Sequence, residues 1–206
     1  MARYFDVHPD NPQPRSLSQV VDILTSGGLV AYPTDSAFAL GCVMGNRAGL
    51  DRIHAIRQLD RHHHFTLVCS EFAQLGTYVQ MDNWMFRMVK SATPGPYTFI
   101  LPATREAPKA MLNDRKKTVG VRVPQHTTAL ALLELLGEPL MSSTLILPGE
   151  DDPMTDGWTI ADTLGHELDA VLDSGDVGMR PTTVVDLTGE GPEVVRVGAG
   201  DPTPFE

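Results

Sequence analysis

Thr118-Val119-Gly120-Val121-Arg122-Val123-Pro124 and Val195-Arg196-Val197-Gly198 each set one arginine inside an apolar, β-rich run. A charge in a half-buried sheet needs a partner, and on this ground alone a ligand and a structural counter-group carry equal weight. Tyr32-Pro33-Thr34-Asp35-Ser36 follows an apolar strand directly. It places a fixed turn with hydroxyl and carboxylate groups at a strand end, where α/β proteins commonly bind ligands. Pro181-Thr182-Thr183-Val184-Val185-Asp186-Leu187-Thr188 reads as the first half of a hairpin whose second strand carries Arg196. Thr93-Pro94-Gly95-Pro96-Tyr97-Thr98-Phe99 is a rigid turn feeding a strand, and its plainer role is structural. His62-His63-His64 invites a metal reading, but consecutive residues of an extended segment point to opposite sides, so no metal is expected there. Arg115-Lys116-Lys117 reads as an exposed loop beside Thr118, with a share in phosphate or RNA binding as the sharper alternative.

The elements that must position these groups follow from periodicity and punctuation. Leu17, Val20, Val21 and Leu24 predict a helix over Ser16 to Ser26, stopped by Gly27-Gly28. Leu29 to Tyr32 and Ala37 to Cys42 predict a hairpin. Asn46 is a good N-cap for a helix bearing Leu50, Ile53 and Ile56, with Arg57 near its C-terminal end. Phe65 to Cys69 predicts a strand, Ser70 the cap of a short helix through Leu75, and Asp82 the cap of a helix with Met85, Met88 and Val89. Tyr97 to Leu101 and Val119 to Val123 add two strands. A helix over Thr127 to Leu136, a strand over Pro139 to Leu147, a loop over Gly149 to Gly157 and a helix over Ile160 to Leu168 follow. Thr182 to Leu187 and Glu193 to Val197 close the series. Strands and helices alternate without a strict βαβ period, so one α/β domain with a twisted mixed sheet flanked by helices is expected over residues 1–206.

With 206 residues, 42% of them hydrophobic, a single core is within reach of this chain. Its apolar runs are far shorter than the roughly 20 residues that cross a bilayer, and Asp6, His8 and Asp10 interrupt any secretory h-region. A cytoplasmic protein without a membrane partner is expected. Cys42 and Cys69 read as small buried hydrophobes. The net charge of −10 opposes nucleic-acid binding. Its distribution matters more than its sum: residues 150–206 hold 14 acidic side chains against Arg180 and Arg196, whereas residues 47–122 hold 12 basic against 6 acidic. The middle of the chain is able to face an anion.

Together, in this order, these segments resemble the YrdC/YciO family, which includes the threonylcarbamoyl-adenylate synthases, over about Leu17 to Gly198. The opening P-D-N-P-Q-P-R, the I-R-Q-L stretch and the closing V-G-A-G-D resemble the YciO branch. The resemblance implies a YrdC-like fold with a concave cationic face. It implies a nucleotidyltransferase that makes L-threonylcarbamoyl-adenylate from L-threonine, bicarbonate and ATP, with Mg2+ accompanying the nucleotide, for N6-threonylcarbamoyl modification of adenosine 37 in tRNA. On the same basis Arg57, Arg61, His63, Thr118, Ser142 and Arg196 would face the nucleotide, and Thr34, Arg122, Thr144 and Thr183 the threonine. Departures are equally specific. The synthase K-x-R-P segment falls on Arg57-Gln58-Leu59-Asp60, and its S-x-N motif on Thr144-Leu145-Ile146. Leu59 and Ile146 lack the charge and the amide of that pattern, which implies weakened or redirected catalysis. The alternative is a non-catalytic protein of the same fold that binds tRNA or double-stranded RNA.

Overall fold

The structure, a computed structural model, describes all residues except 60–64, 113–116 and 176. Arg61, His63 and the rest of the histidine run lie outside the described residues, as do Arg115 and Lys116. In chain order the strands are β1 (Arg3–Asp6), β2 (Val30–Tyr32), β3 (Ala39–Val43), β4 (Thr66–Val68), β5 (Tyr97–Pro102), β6 (Thr118–Arg122), β7 (Leu140–Thr144), β8 (Ala170–Asp173), β9 (Thr183–Asp186) and β10 (Glu193–Arg196). The helices are α1 (Pro14–Thr25), α2 (Arg47–Arg57), α3 (Phe72–Tyr78), α4 (Asn83–Ser91), α5 (Thr127–Leu136) and α6 (Gly157–Leu164).

The strands form one sheet in the order β1-β8-β2-β3-β7-β4-β6-β5-β9-β10. It is mixed, as expected: β2 and β3 form the foreseen antiparallel hairpin, while β4 pairs with β6, and β5 with β9, in parallel. Strands β1 and β8 correct the sequence reading, which held neither. They pair with each other in parallel and extend the sheet beyond β2.

Local chemistry accounts for the helix boundaries. Pro14 fixes the first turn of α1, two residues earlier than the periodicity suggests. Gly27 ends it at φ +90°, where a side chain would be strained. Asn46 Oδ1 accepts from Gly49 N–H at 2.9 Å and Asp82 Oδ1 from Met85 N–H at 3.3 Å, so both foreseen caps form. Ser70 does not cap α3. Glu71 is its N-cap, and Ser70 N–H instead donates to Gln74 Oε1 at 2.8 Å. Helix α6 starts earlier than predicted because Asp156 accepts from Thr159 N–H at 2.7 Å.

Two apolar layers sandwich the sheet unequally. One face is covered along its length: Leu40, Leu67, Phe99, Val119, Val121 and Val185 meet α2, α3, α4 and α6 through Ile53, Leu75, Val89 and Ile160. Among the described residues the other face meets only α1 and α5, through Leu17, Val20, Leu24, Ala129, Leu132 and Leu133, against side chains from β1, β8, β2, β3, β7 and β4. From Tyr32 and Val68 onward that second face carries a cavity in place of a helix.

Candidate functional site

The cavity, about 600 Å³, runs over this uncovered face from β2 to β10. Apart from Ser143 of β7, the lining from β4 to β7 follows the two-residue period of strands. Ser142 and Thr144 come from β7, Thr66 and Val68 from β4, Gly120 and Arg122 from β6, Thr98 and Ile100 from β5. The intervening residues Leu67, Phe99, Val119 and Val121 face the core. At Gly120 a Cβ would sit 3.4 Å from Thr98 Cγ2 and 3.5 Å from Thr66 Oγ1, so its absence leaves the space between those two threonines open.

Three guanidiniums enter. Arg122 is 5% exposed and pairs with Asp35 through Nη2, while its Nη1 donates to Ser36 Oγ at 2.9 Å. Asp35 also accepts from Gln125 N–H at 2.9 Å. The counter-group that a strand-borne arginine demands is therefore supplied by the turn after β2. The Nε–H of Arg122 remains, buried and without a partner among the described residues. Arg57, the last residue of α2, donates to Ile146 O and to Ser143 Oγ. Arg196 is clamped flat on Thr182 O through Nε at 3.1 Å and Nη2 at 2.9 Å. Burial, reinforced by the nearby Arg196, lowers Arg57 to about 10, and burial lowers Arg196 as well.

A β-bulge assists Arg196. Val194 opposes Val185 and Arg196 opposes Val184, leaving Val195 as the extra residue, and both Val195 and Arg196 line the cavity.

Hydroxyls complete the lining. Ser142 Oγ donates to Leu40 O at 2.8 Å, so the Tyr32 hydroxyl, also at 2.8 Å, donates to Ser142. Burial pushes Tyr32 up to about 12, which keeps it a neutral donor. Thr34 Oγ1 donates to Ala37 O at 2.6 Å and accepts from the Ser36 and Ala37 N–H groups, so it closes its own turn.

Of the residues singled out in the sequence, Thr34, Arg57, Arg122, Ser142, Thr144 and Arg196 share this cavity. Thr183 does not. It lies on the core side of β9, donating to Gly200 O and accepting from Gly198 N–H at 2.9 Å. Its neighbour Thr182 lines the cavity instead, with its hydroxyl 2.9 Å from that of Thr98. Thr118 borders a separate hollow with Asp186 and Glu193. Ile146 lines the main cavity, whereas Leu59 packs against the core. Sequence reasoning passed over Tyr32, Thr66, Thr98, Ser143 and Thr182. Ser143 and Thr182 each adjoin a recognised residue, Tyr32 and Thr98 lie inside segments noted for their turns, and nothing local marks Thr66.

No carboxylate, histidine, cysteine or lysine lines the cavity among the described residues. Such a lining orients an anionic ligand and offsets developing charge; it contains no evident nucleophile or general base.

The Sua5/YciO/YrdC family model, whose description is telomere recombination, matches residues 22–198. The chain belongs to the Sua5/YciO/YrdC family. Within it, the chain is 48% identical over 206 residues, all of both chains, to an uncharacterized protein of Haemophilus influenzae (strain Rd). The crystal structure of E. coli YciO is 47% identical, covers 100% of both chains and superposes with a TM-score of 0.97. The crystal structure of P. abyssi Sua5 complexed with L-threonine is 25% identical, with a TM-score of 0.85 over 95% of this chain and 57% of the Sua5 chain. The Sua5/YciO/YrdC fold is thus present throughout the described chain.

Proposed function

We propose that the cavity binds ATP, as its magnesium complex, together with L-threonine and bicarbonate, and slowly forms L-threonylcarbamoyl-adenylate for N6-threonylcarbamoyl modification of tRNA adenosine 37. The observation that carries this reading is the meeting of Arg57, Arg122 and Arg196 on one hydroxyl-lined sheet face. The L-threonine complex of the Sua5 relative supports it.

In this reaction the threonine amine and bicarbonate combine with loss of water to give a carbamate. A carbamate oxygen then attacks the α-phosphorus of ATP, the bond to the β-phosphate oxygen breaks, and pyrophosphate leaves. Cations around the phosphates and donors around the amino acid are the groups this step needs. Arg57, Arg196 and Ser142 serve the nucleotide in this reading, joined by Arg61 and His63. The Nε–H of Arg122, with Thr144 and the turn closed by Thr34, serves threonine. Thr182 takes the place first given to Thr183, and Thr118 receives no ligand. Leu59 and Ile146 each forgo a charge-assisted or amide contact, worth about 1.5–3 kcal/mol when the partner is charged. The expected enzyme is therefore slow.

Purified protein given ATP, L-threonine and bicarbonate should release pyrophosphate at a low rate that depends on all three. Release no faster than in the threonine-free control would overturn the synthase reading.

A further inference from the structure

Met141, Ser143 and Leu145 alternate along β7 and just beyond it. Met141 and Leu145 are buried in the apolar layer beneath α2, and so is Leu40, which stands opposite Ser143 on β3. Ser143, 6% exposed, is thus a serine where the pattern calls for a hydrocarbon. A hydroxyl enclosed in that way is costly unless it is hydrogen-bonded. This one accepts from Arg57 Nη1 and borders the cavity.

Arg57 itself has to change faces. Helix α2 packs on the covered face through Leu50, Ile53 and Ile56, yet the guanidinium of its last residue lines the cavity of the opposite face. Gln58, at φ +48°, ends the helix directly behind it. The side chain passes the C-terminal end of β7, where Nε donates to Ile146 O at 3.2 Å and Nη1 to Ser143 Oγ. Two acceptors on two different nitrogens of a planar group fix its tilt as well as its position. The nearby Arg196 disfavours the charge of Arg57 and so does nothing to hold it in place.

We propose that Ser143 is a positioning residue for Arg57: its hydroxyl, set at a core-facing position of β7, holds the guanidinium in the orientation that meets the phosphates of the nucleotide. This rests on the reading of the cavity as an ATP site. The carbonyl of Ile146 supplies one end of the clamp whatever side chain stands there, so Ser143 is the end that a substitution removes. An arginine held before the ligand arrives gives up less side-chain freedom on binding.

A double-mutant cycle tests the assignment, with ATP binding followed by calorimetry in wild type, Ser143→Ala, Ser143→Thr, Arg57→Ala and the double variant Arg57→Ala with Ser143→Ala. Ser143→Ala should weaken ATP binding about fivefold, and Ser143→Thr should recover most of the loss. With Arg57 already removed, Ser143→Ala should change ATP affinity less than twofold. An acceptor favours the charged form of its donor, so the loss of ATP affinity at alkaline pH should set in at a lower pH in Ser143→Ala than in wild type. ATP affinity within twofold of wild type in Ser143→Ala, an equal loss with Arg57 absent, or an unmoved alkaline fall overturns the proposal alone. Failure of the wild type to bind ATP overturns the underlying reading and this proposal with it.

Discussion

Arg57 illustrates how one side chain couples burial to binding. Its guanidinium is cationic below about 10, a value lowered by burial and by Arg196. A base with a lowered value loses its proton earlier as the solution becomes alkaline. Nucleotide affinity should accordingly stay level from pH 7 to 9 and fall as pH rises through about 10, which titration of ATP binding across that range checks. Thr182, just before β9, and Thr183, its first residue, make a second contrast. Thr182→Val should weaken nucleotide or threonine binding while leaving the thermal midpoint nearly unchanged. Thr183→Val should cost about 1–3 kcal/mol of stability, because the Gly198 N–H and Gly200 O groups it serves are enclosed; parallel calorimetry and unfolding curves separate the two. Nothing in the residue types of P-T-T-V-V distinguishes these threonines. The following Val184 and Val185 are both apolar, so alternation gives no clue to the face, and a one-residue shift exchanges cavity for core.

Among elements, the strap at Gly178, whose N–H donates to Thr34 O across the turn after β2, and helix α3 respond oppositely to the same change. Gly178→Ala drives a methyl into the Asp35 carbonyl and should lower stability by about 2 kcal/mol. Gly76→Ala, in α3 where a Cβ meets nothing within 4 Å, should raise it by about 0.5–1 kcal/mol. Denaturant unfolding of the two variants measures both signs. Elements with strong punctuation were legible: Asn46, Asp82, Gly27 and Gly137 mark helix ends that the structure retains. Strand β1 was not, because Arg3-Tyr4-Phe5-Asp6 buries only Phe5. Strand β8 was not either: its four residues, Ala170–Asp173, lie just past the helix expected over Ile160 to Leu168 and are too few to show a strand's alternation. Both depend on each other across the sheet, a relation that no local window contains.

For the molecule as a whole, charge placement decides between small and large anions. The cations Arg57, Arg122 and Arg196 are recessed in a cavity of about 600 Å³, while residues 150–206 carry 14 acidic side chains against two basic ones. Binding of labelled tRNA, followed by anisotropy, should be weak at 50 mM salt and absent at 200 mM, since few phosphates could be neutralised at once. No helix among the described residues is long and apolar enough to cross a membrane. The pairing of Arg3–Asp6 with Ala170–Asp173 has a further bearing, on the order of events at the ribosome. Strand β1 has to wait for its partner β8 until most of residues 1–206 have emerged, and Thr182 and Arg196 emerge later still. Contacts so distant in sequence form slowly and leave strand edges open to chaperones or to neighbouring chains. The arginine-lined cavity consequently comes into being as one of the last acts of folding, and a nascent chain stalled before Arg196 would hold a nearly finished sheet with an incomplete cavity.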